Sequence, residues 1–347
     1  MANRTRDIIV IGASAGGVEV LQQVVRTLPP NFPAAVFVTL HFPEHATSVL
    51  PRILSRAGPL PALHAADGDA VVRGRIYIAP PDHHLLLMRR GMRIVRGPKD
   101  NGNRPAIDPM FRSAAVAFGP RVIGVVLTGN LDDGTAGLAA IKRRGGLTVV
   151  QDPEEALFSS MPRSALEHVE IDRVIRAGQF GRTIQEIMCD PTPDVEPPLS
   201  QGDAMENEYS AGDLDAIEQP EKHPGRVSPY SCPDCGGVLW ELNDGDFMRF
   251  RCRVGHGWTG DALMARQSES LDDALWTALR ALEENAALSR QIAGRYRARG
   301  ADRLARRLDD QAEAAQSRAD VIRDALMAHR RAQPDADPEA QDPRRAS

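Results

Sequence analysis

The sequence predicts an α/β fold, a three-layer, doubly wound and mostly parallel sheet with an antiparallel hairpin insert and smaller C-terminal elements. Apolar runs rich in β-branched residues alternate with amphipathic helical patterns over residues 7–178. This alternation is typical of parallel strands whose two faces are both covered by helices. The chain of 347 residues, 42% of them apolar, is long enough for two or three domains and for at least one large core.

Short, nearly continuous apolar runs predict the strands of the sheet, and residues 18–27 and 136–144 have the amphipathic pattern of connecting helices. Pro and Gly turns separate residues 75–79, 85–88 and 92–95, which indicates that these three segments form the antiparallel hairpin insert. The strand candidates of the sheet are residues 8–11, 35–40, 75–79, 122–127 and 147–150.

The composition changes along the chain and predicts five segments. Prolines and acids dominate the stretch after the α/β region, and Lys222 is its only lysine, so it lacks the apolar residues of a core. Two helical patterns further on flank residues 299–301, which predicts a helical hairpin. The predicted segments are an α/β domain at 1–188, a disordered acidic linker at 189–228, a compact Cys/His/Trp-rich module at 229–267, the helical hairpin at 268–332 and a disordered tail at 333–347.

Charge and cysteine usage limit the class of protein. A net charge of −5 argues against a general nucleic-acid binder, so no nucleic-acid partner is expected. Residues 1–7 lack the apolar segment of a signal peptide, and no run reaches the roughly 18 apolar residues of a membrane span, so no direct membrane insertion is expected. Three of the four cysteines lie near one histidine, which favours metal binding over disulfides and predicts a soluble, cytoplasmic protein.

The first predicted strand runs into a G-x-S-x-G turn with Ser14 at its centre. Such a turn lifts the serine hydroxyl above the strand end, beside the free N–H groups of the following helix. A dinucleotide-binding unit is the alternative, but it requires G-x-G-x-x-G and an acid near the end of the second strand. Here the second strand ends in His41, and no acid follows before Glu44. The sequence therefore favours a hydrolase over a nucleotide site.

A third strand end carries acids. Residues 122–127 lead into a glycine-rich turn that contains Asp132 and Asp133, and either carboxylate could orient an imidazole. The alternatives are an N-cap of the next helix for these acids and a backbone-bonded histidine for His41. Serine, histidine and aspartate at three strand ends of one parallel sheet favour a catalytic triad, because open sheets place their sites at that edge.

At these residues the chain resembles the catalytic domain of CheB, the chemotaxis protein-glutamate methylesterase, over about residues 6–180. The resemblance implies Ser14 as nucleophile, His41 as general base and Asp133 as the orienting acid, with Asp132 as a neighbour. It implies hydrolysis of γ-glutamyl methyl esters on chemoreceptors or receptor-like sensory proteins, often with deamidation of glutamines, and no catalytic cofactor. The motifs that carry it are, in order, IGASAGG, LHFPEH, RPAIDPMFRSAA, LTGNLDDGTAGL and QDPEEALFSSMPRSA.

Some residues depart from the family pattern or have an open role. Ala15 and Asn130 stand where the family usually has Thr and Met, and Asn130 could add a hydrogen-bond donor near the oxyanion or alter the substrate. Arg104 is either a substrate contact or a solvated arginine, and Asp108 either lines the cleft or caps the helix that follows it. The first strand begins near the start of the chain, so no receiver domain is expected. Regulation would then differ from that of the family or act through partners such as a response regulator or kinase.

The C-terminal cysteines have metal-ligand spacing. Cys232 and Cys235 form C-x2-C, Cys252 and His256 form C-x3-H, and two predicted strands separate the pairs. This pattern predicts a tetrahedral Cys₃His zinc ribbon, and four ligands leave no open position for catalysis, so the Zn²⁺ is structural. Arg249, Arg251 and Arg253 form a basic stripe, but neighbouring acids offset it. A folding module or a protein-docking surface is therefore favoured over nucleic-acid binding.

The sequence thus predicts a serine hydrolase that removes methyl esters from glutamate side chains in bacterial signal transduction. Two alternatives belong to other classes of protein. One is a non-catalytic signalling module that binds a partner on the same fold, and the other is a regulator whose zinc ribbon binds nucleic acid. The helical hairpin is expected either to pack on itself or to offer a helix to a receptor or to a second copy.

Overall fold

Two compact units make up the chain, Met1–Met264 and Ala265–Ser347. The predicted tail at 333–347 and residues 194–196, 200 and 211–224 of the predicted linker lie outside the described residues. The computed structural model describes residues 5–43, 47–193, 197–199, 201–210, 225–244 and 247–332.

The first unit is built around a seven-stranded sheet in which every neighbouring pair is parallel, in the order β3-β4-β2-β1-β7-β8-β9. A separate antiparallel hairpin, β5–β6, is inserted between β4 and the next helix. The strands are β1 (Ile8–Ala13), β2 (Ala35–Leu40), β3 (Ala62–His64), β4 (Ile76–Ile78), β5 (His84–Met88), β6 (Gly91–Val95), β7 (Val122–Val126), β8 (Leu147–Gln151) and β9 (Arg173–Ile175).

Helices cover both faces of this sheet, as the apolar strands predict. Ile9 and Ile11 of β1 face a core that includes residues of α1, α2 and α6, whereas Ile8 and Val10 face a core with α3, α4, α5 and the hairpin. The predicted three-layer, doubly wound fold is confirmed. The helices are α1 (Gly17–Arg26), α2 (Leu50–Ala57), α3 (Ile107–Phe118), α4 (Thr135–Arg143), α5 (Ser160–His168) and α6 (Phe180–Met188).

The predicted hairpin insert is wrong in one segment. Residues 75–79 contain β4, which pairs in parallel with β2 and β3, and only β5 and β6 form the hairpin. Tyr77 explains the difference, because its ring stacks on Phe37 of β2 with a centroid distance of 5.4 Å and holds β4 in the sheet. The sequence did not predict β3 and β9, since these three-residue strands carry no continuous apolar run.

A second, antiparallel sheet follows in the same unit, with strands in the order β10-β11-β12-β13. We call these four strands the ribbon module. The helix α7 precedes them and lies within the predicted disordered linker, so that prediction is wrong for residues 201–210. Glu206 and Ser210 of this helix are buried by contacts that composition does not reveal. The elements are α7 (Gln201–Ser210), β10 (Gly225–Ser231), β11 (Val238–Asp244), β12 (Phe247–Cys252) and β13 (Gly257–Thr259).

Two long helices, α8 (Gly260–Arg297) and α9 (Asp302–Ala332), follow the ribbon module, and the break between them lies where the sequence predicts it. The first begins earlier than expected, because Ala262 and Leu263 pack in the core of the ribbon module. Within the second unit the helices pack on each other through a buried cluster that includes Leu279, Ala319 and Leu326. None of the helices in the described residues has the length and hydropathy needed to cross a membrane.

Candidate active site

The turn after β1 presents Ser14 at the carboxyl end of the sheet. Gly16 has a φ of 71°, a left-handed conformation that glycine adopts without strain, and α1 starts at the next residue. The Ser14 N–H donates to the Thr128 carbonyl at 3.0 Å, and the Thr128 hydroxyl donates to the Ala15 carbonyl at 3.0 Å. The loop after β7 therefore holds the serine turn in place.

Gly129 allows this close approach of the two loops. A Cβ at Gly129 would lie 2.0 Å from Met161 Sδ and 2.8 Å from Ser14 Cβ, so a larger residue would displace the serine. The neighbouring Asn130 is exposed at the rim of the site. Among the hydrogen bonds found within the described residues, none takes the N–H groups of Ala15 and Gly16, which leaves both available beside the nucleophile.

His41 lies between the serine and an acid. Its Nδ1 is 3.0 Å from Ser14 Oγ, and its Nε2 is 2.7 Å from Asp133 Oδ2. A proton on Nε2, donated to the carboxylate, leaves the lone pair of Nδ1 facing the serine hydroxyl. The imidazole side chain keeps 14% of its surface exposed, so the site is open to a substrate.

Asp133 is buried, and hydrogen-bond donors surround its carboxylate. Oδ2 accepts from the Ile107 N–H at 2.8 Å, and Oδ1 accepts from the Asp108 N–H at 3.2 Å. Both amides belong to the first turn of α3, where free N–H groups and the helix dipole stabilise an anion. The Asn101 amide donates a third hydrogen bond to Oδ1 at 3.2 Å.

Asp132 points away from the imidazole, which separates the two adjacent acids. Its Oδ1 accepts a hydrogen bond from the Thr259 hydroxyl at 2.8 Å. Burial raises the pKa of Asp132 to about 7. Neither acid caps α4 with its side chain, because the N-cap residue of this helix is Gly134.

The family model of the CheB methylesterase matches residues 9–184, about half of the chain. The chain belongs to the CheB methylesterase family. The match agrees with the predicted resemblance over about residues 6–180 and contains every residue of the serine, histidine and aspartate arrangement. We call residues 9–184 the CheB domain.

Known relatives agree with this assignment. The chain is 40% identical over 182 residues to protein-glutamate methylesterase/protein-glutamine glutaminase 3 of Geobacter sulfurreducens, which covers 51% of this chain and 49% of the relative. It is 39% identical over 179 residues to protein-glutamate methylesterase/protein-glutamine glutaminase 2 of Rhodospirillum rubrum, and this match covers 50% of this chain and 49% of the relative. The chain thus spans about half the length of the curated relatives it matches. The helix α7, the ribbon module and the long helices lie outside residues 9–184, which the family model matches.

A solved structure supports the fold of the CheB domain. The crystal structure of the Thermotoga maritima CheB methylesterase catalytic domain superposes with a TM-score of 0.51 at 34% sequence identity. The match covers 52% of this chain and 98% of that chain. The parallel sheet and its flanking helices are therefore those of a CheB catalytic domain.

Two polar residues near the triad have structural partners in the CheB domain. Arg104 binds the Asp82 carboxylate at 2.6 Å and 2.8 Å and the Gly97 carbonyl at 3.0 Å, so it is not a solvated arginine. Asp108 accepts a hydrogen bond from the Gly137 N–H at 2.6 Å and thereby caps α4 rather than its own helix. Burial, together with the charge of Asp133, raises the pKa of Asp108 to about 8.

The ribbon module brings the four predicted metal ligands together. The sulfur atoms of Cys232, Cys235 and Cys252 and a ring nitrogen of His256 all lie within 4.8 Å of one another. Neighbouring ligand atoms are 3.5–3.6 Å apart. Zinc bound to thiolates at about 2.3 Å in a tetrahedron separates its ligand atoms by roughly 3.8 Å. The cluster could therefore hold zinc.

Sequence reasoning missed two residues beside the adjacent acids: Asn101 contacts Asp133, and Thr259 contacts Asp132. Asn101 has a φ of 52°, and the Asn-Gly pair in which it lies does signal a left-handed turn. Thr259 precedes α8 and accepts from the Ala262 N–H at 3.2 Å, the pattern of a helix N-cap. Both signals are local, and neither indicates that the side chain reaches the active site.

Proposed function

We propose that this chain is a protein-glutamate methylesterase, a serine hydrolase that removes methyl esters from glutamate side chains of chemoreceptor-like proteins. The observation that carries the proposal is the hydrogen-bonded line from Ser14 through His41 to Asp133 at the carboxyl ends of β1, β2 and β7. The printed names of the relatives support this reaction and also glutamine deamidation.

The geometry supports a role for each residue of the proposed triad. His41 Nδ1 takes the proton of the Ser14 hydroxyl while Oγ forms a bond to the ester carbonyl carbon. The N–H groups of Ala15 and Gly16 stabilise the resulting oxyanion. The bond from the carbonyl carbon to the methoxy oxygen then breaks, and this oxygen takes the proton from Nδ1, so methanol leaves.

Water completes the cycle on the acyl-enzyme. His41 Nδ1 accepts a proton from water as the water oxygen attacks the acyl carbon, and Ser14 leaves with that proton. Asp133 holds the ring orientation and stabilises the imidazolium in both halves of the reaction. With a glutamine side chain in place of the ester, the same steps release ammonia.

We infer that the Cys₃His cluster holds structural Zn²⁺ through Cys232, Cys235, Cys252 and His256. Bound zinc supplies a cross-link between two loops and leaves no coordination position for substrate. Both loops are already shaped by backbone hydrogen bonds, from Gly236 N–H to the Cys232 carbonyl at 2.8 Å and from Gly255 N–H to the Cys252 carbonyl at 2.9 Å. Thiolate ligands also favour a reducing, cytoplasmic location.

The proposed partner is a methylated chemoreceptor or receptor-like sensory protein, with a response regulator or kinase as a second candidate. Nucleic-acid binding by the ribbon module loses its main support. Arg249 and Arg251, which made up most of the predicted basic stripe, are buried in ion pairs with Glu206 and so do not face a ligand.

Methanol release from a methylated chemoreceptor cytoplasmic domain tests the methylesterase proposal. The wild-type chain should release methanol, and Ser14→Ala should lower the rate by about 10³-fold or more, because the nucleophile is lost. Equal circular dichroism spectra would show that both proteins are folded. An equal rate in the two proteins, or no release by the folded wild-type chain beside an active control enzyme, would favour the non-catalytic binding module.

A further inference from the structure

Asn101 connects the triad acid to the ribbon module. Its side-chain Nδ2 donates to Asp133 Oδ1 at 3.2 Å and lies 3.4 Å from Asp108 Oδ2, while its Oδ1 accepts from the Thr259 N–H at 2.9 Å. A backbone N–H can only donate, so the Thr259 contact fixes which end of the amide faces the carboxylates. The side chain is buried, and its orientation is set from outside the CheB domain.

The backbone around Asn101 is held by the same strand of the ribbon module. The Asn101 N–H donates to the Gly257 carbonyl at 2.8 Å, and the Gly257 N–H donates to the Lys99 carbonyl at 3.1 Å. Residues 99–101 thus pair with β13 at the edge of the ribbon sheet, with Asp100 opposite Gly257 in a parallel bridge. Gly257 directly follows the proposed metal ligand His256.

A buried charge cluster fixes the pairing of residues 99–101 with β13. It consists of Asp100, Arg112, Glu206, Arg249 and Arg251. Asp100 lies between Arg112 at 2.5 Å and Arg251 at 3.2 Å, and Glu206 pairs with Arg249 at 2.5 Å and Arg251 at 2.6 Å. All five side chains are almost inaccessible to solvent. Although burial opposes ionisation, Arg249 and Arg251 lower the pKa of Glu206 to about 2. Buried ion pairs therefore connect the CheB domain, α7 and the ribbon module.

The ribbon module contacts the acid side of the site and leaves the nucleophile open. His41 occupies Oδ2 of Asp133, whereas Asn101 occupies Oδ1, so the two partners do not compete. The Thr259 hydroxyl adds a second contact, to Asp132. Ser14 remains half-buried, and His41 keeps 14% of its side-chain surface exposed. The ribbon module therefore stabilises the side of the site that holds Asp132 and Asp133 and does not cover Ser14.

We propose that Asn101 is a positioning residue for Asp133 and that the ribbon module, through Thr259 and β13, holds Asn101 in place. The inference rests on the proposed esterase reaction and extends it. The ribbon module then helps to orient His41 from the side of Asp133. Docking of the module raises kcat without contributing to substrate binding.

The test uses the full chain with two substitutions. Asn101→Gly removes the amide and accepts the left-handed φ of this position without strain. Gly257→Val places a side chain where an added Cβ would already lie 2.6 Å from Asp100 Oδ1 and 2.8 Å from Arg251 Nη2, which separates β13 from residues 99–101. Asn31→Gly, in an exposed turn before β2, is the matched control for loss of an asparagine.

Two substrates and one spectroscopic signal are measured. The substrates are p-nitrophenyl acetate and the methylated receptor domain. For both of them, kcat of Asn101→Gly and of Gly257→Val should fall by about 10-fold or more, while KM stays within about two-fold of the wild-type value. The far-downfield proton resonance of the His41–Asp133 hydrogen bond should shift or broaden in both variants and stay unchanged in Asn31→Gly. A stability change alone would not move this resonance.

The outcomes separate the inference from the proposed function. Wild-type kcat and an unmoved resonance in Asn101→Gly would overturn the positioning role, and the same result in folded Gly257→Val would overturn the role of the ribbon module. If the wild-type chain hydrolyses neither ester, the proposed function fails, and the resonance alone decides whether Asn101 orients the His41–Asp133 pair.

Discussion

At the scale of single residues, two adjacent aspartates have different surroundings. Asp133 accepts hydrogen bonds from His41, Asn101 and two backbone amides of α3. Asp132 is equally buried, but the Thr259 hydroxyl is its side-chain donor, and burial raises its pKa to about 7. The hydrogen-bond environment, rather than position in the sequence, distinguishes the acid that faces His41.

The raised pKa of Asp132 predicts a pH-dependent stability. The pKa of Asp132 in the folded chain lies above the unfolded value of about 3.9. The protonated carboxyl therefore contributes fully to the free energy of unfolding below about pH 3.9, and this contribution is lost as the pH rises through about 7. Asp132→Asn removes this titration. Its stability relative to wild type should increase by about 2–3 kcal/mol between pH 5 and pH 8.

Chemical denaturation of the wild type and Asp132→Asn at several pH values measures this difference. Comparing the two proteins at each pH cancels the titration of all other groups that the substitution leaves unchanged. A stability difference that stays constant between pH 5 and pH 8 would show that Asp132 is ionised normally in the folded chain.

At the scale of elements, α7 attaches the ribbon module to the CheB domain. This short helix is rich in acids and polar residues, and the sequence predicts no order there. Its Glu206 carboxylate receives hydrogen bonds from Arg251 at 2.7 Å and 2.6 Å, while the Ser210 hydroxyl lies 3.3 Å from Arg112. The order of α7 therefore depends on charges that lie far away in the sequence.

Removing the charge of Glu206 should destabilise this junction strongly. Glu206→Gln keeps the shape of the side chain but removes the charge that faces the buried Arg249 and Arg251, which costs about 3–5 kcal/mol in comparable buried pairs. Glu208→Gln, on the exposed side of the same helix, is the matched control. Urea unfolding should show a much lower midpoint for Glu206→Gln only, and equal midpoints for the two variants would contradict a stabilising charge cluster.

At the scale of the whole molecule, the proposed zinc site and the triad are parts of one compact unit. Only two residues separate His256 from Thr259, and Thr259 contacts Asn101 and Asp132. Trp258, which lies between them, is buried in the core of the ribbon module together with Cys232 and Cys252. We therefore expect a change at the proposed metal site to reach the loop that contacts Asp133.

Zinc removal should unfold the ribbon module and lower esterase activity together. Metal binding contributes directly to the folding free energy of such small modules. After chelation, zinc content should fall from about one ion per chain, and tryptophan fluorescence should shift to the red as Trp258 becomes exposed. Addition of Zn²⁺ should restore both signals. A chain purified without metal that keeps its fluorescence maximum and activity would contradict a structural zinc.

The sequence by itself predicted the parallel sheet and the Cys/His cluster, because these depend on local periodicity and short spacing, and the family resemblance selected Asp133 over Asp132 for the proposed triad. The serine, histidine and aspartate were predicted together since parallel strands end at one edge of the sheet. Tertiary structure alone decided the parallel pairing of β4, the order of α7 and the roles of Asn101 and Thr259. Asn101 and Thr259 are 158 positions apart, and a contact over that separation leaves no pattern in the sequence around either residue.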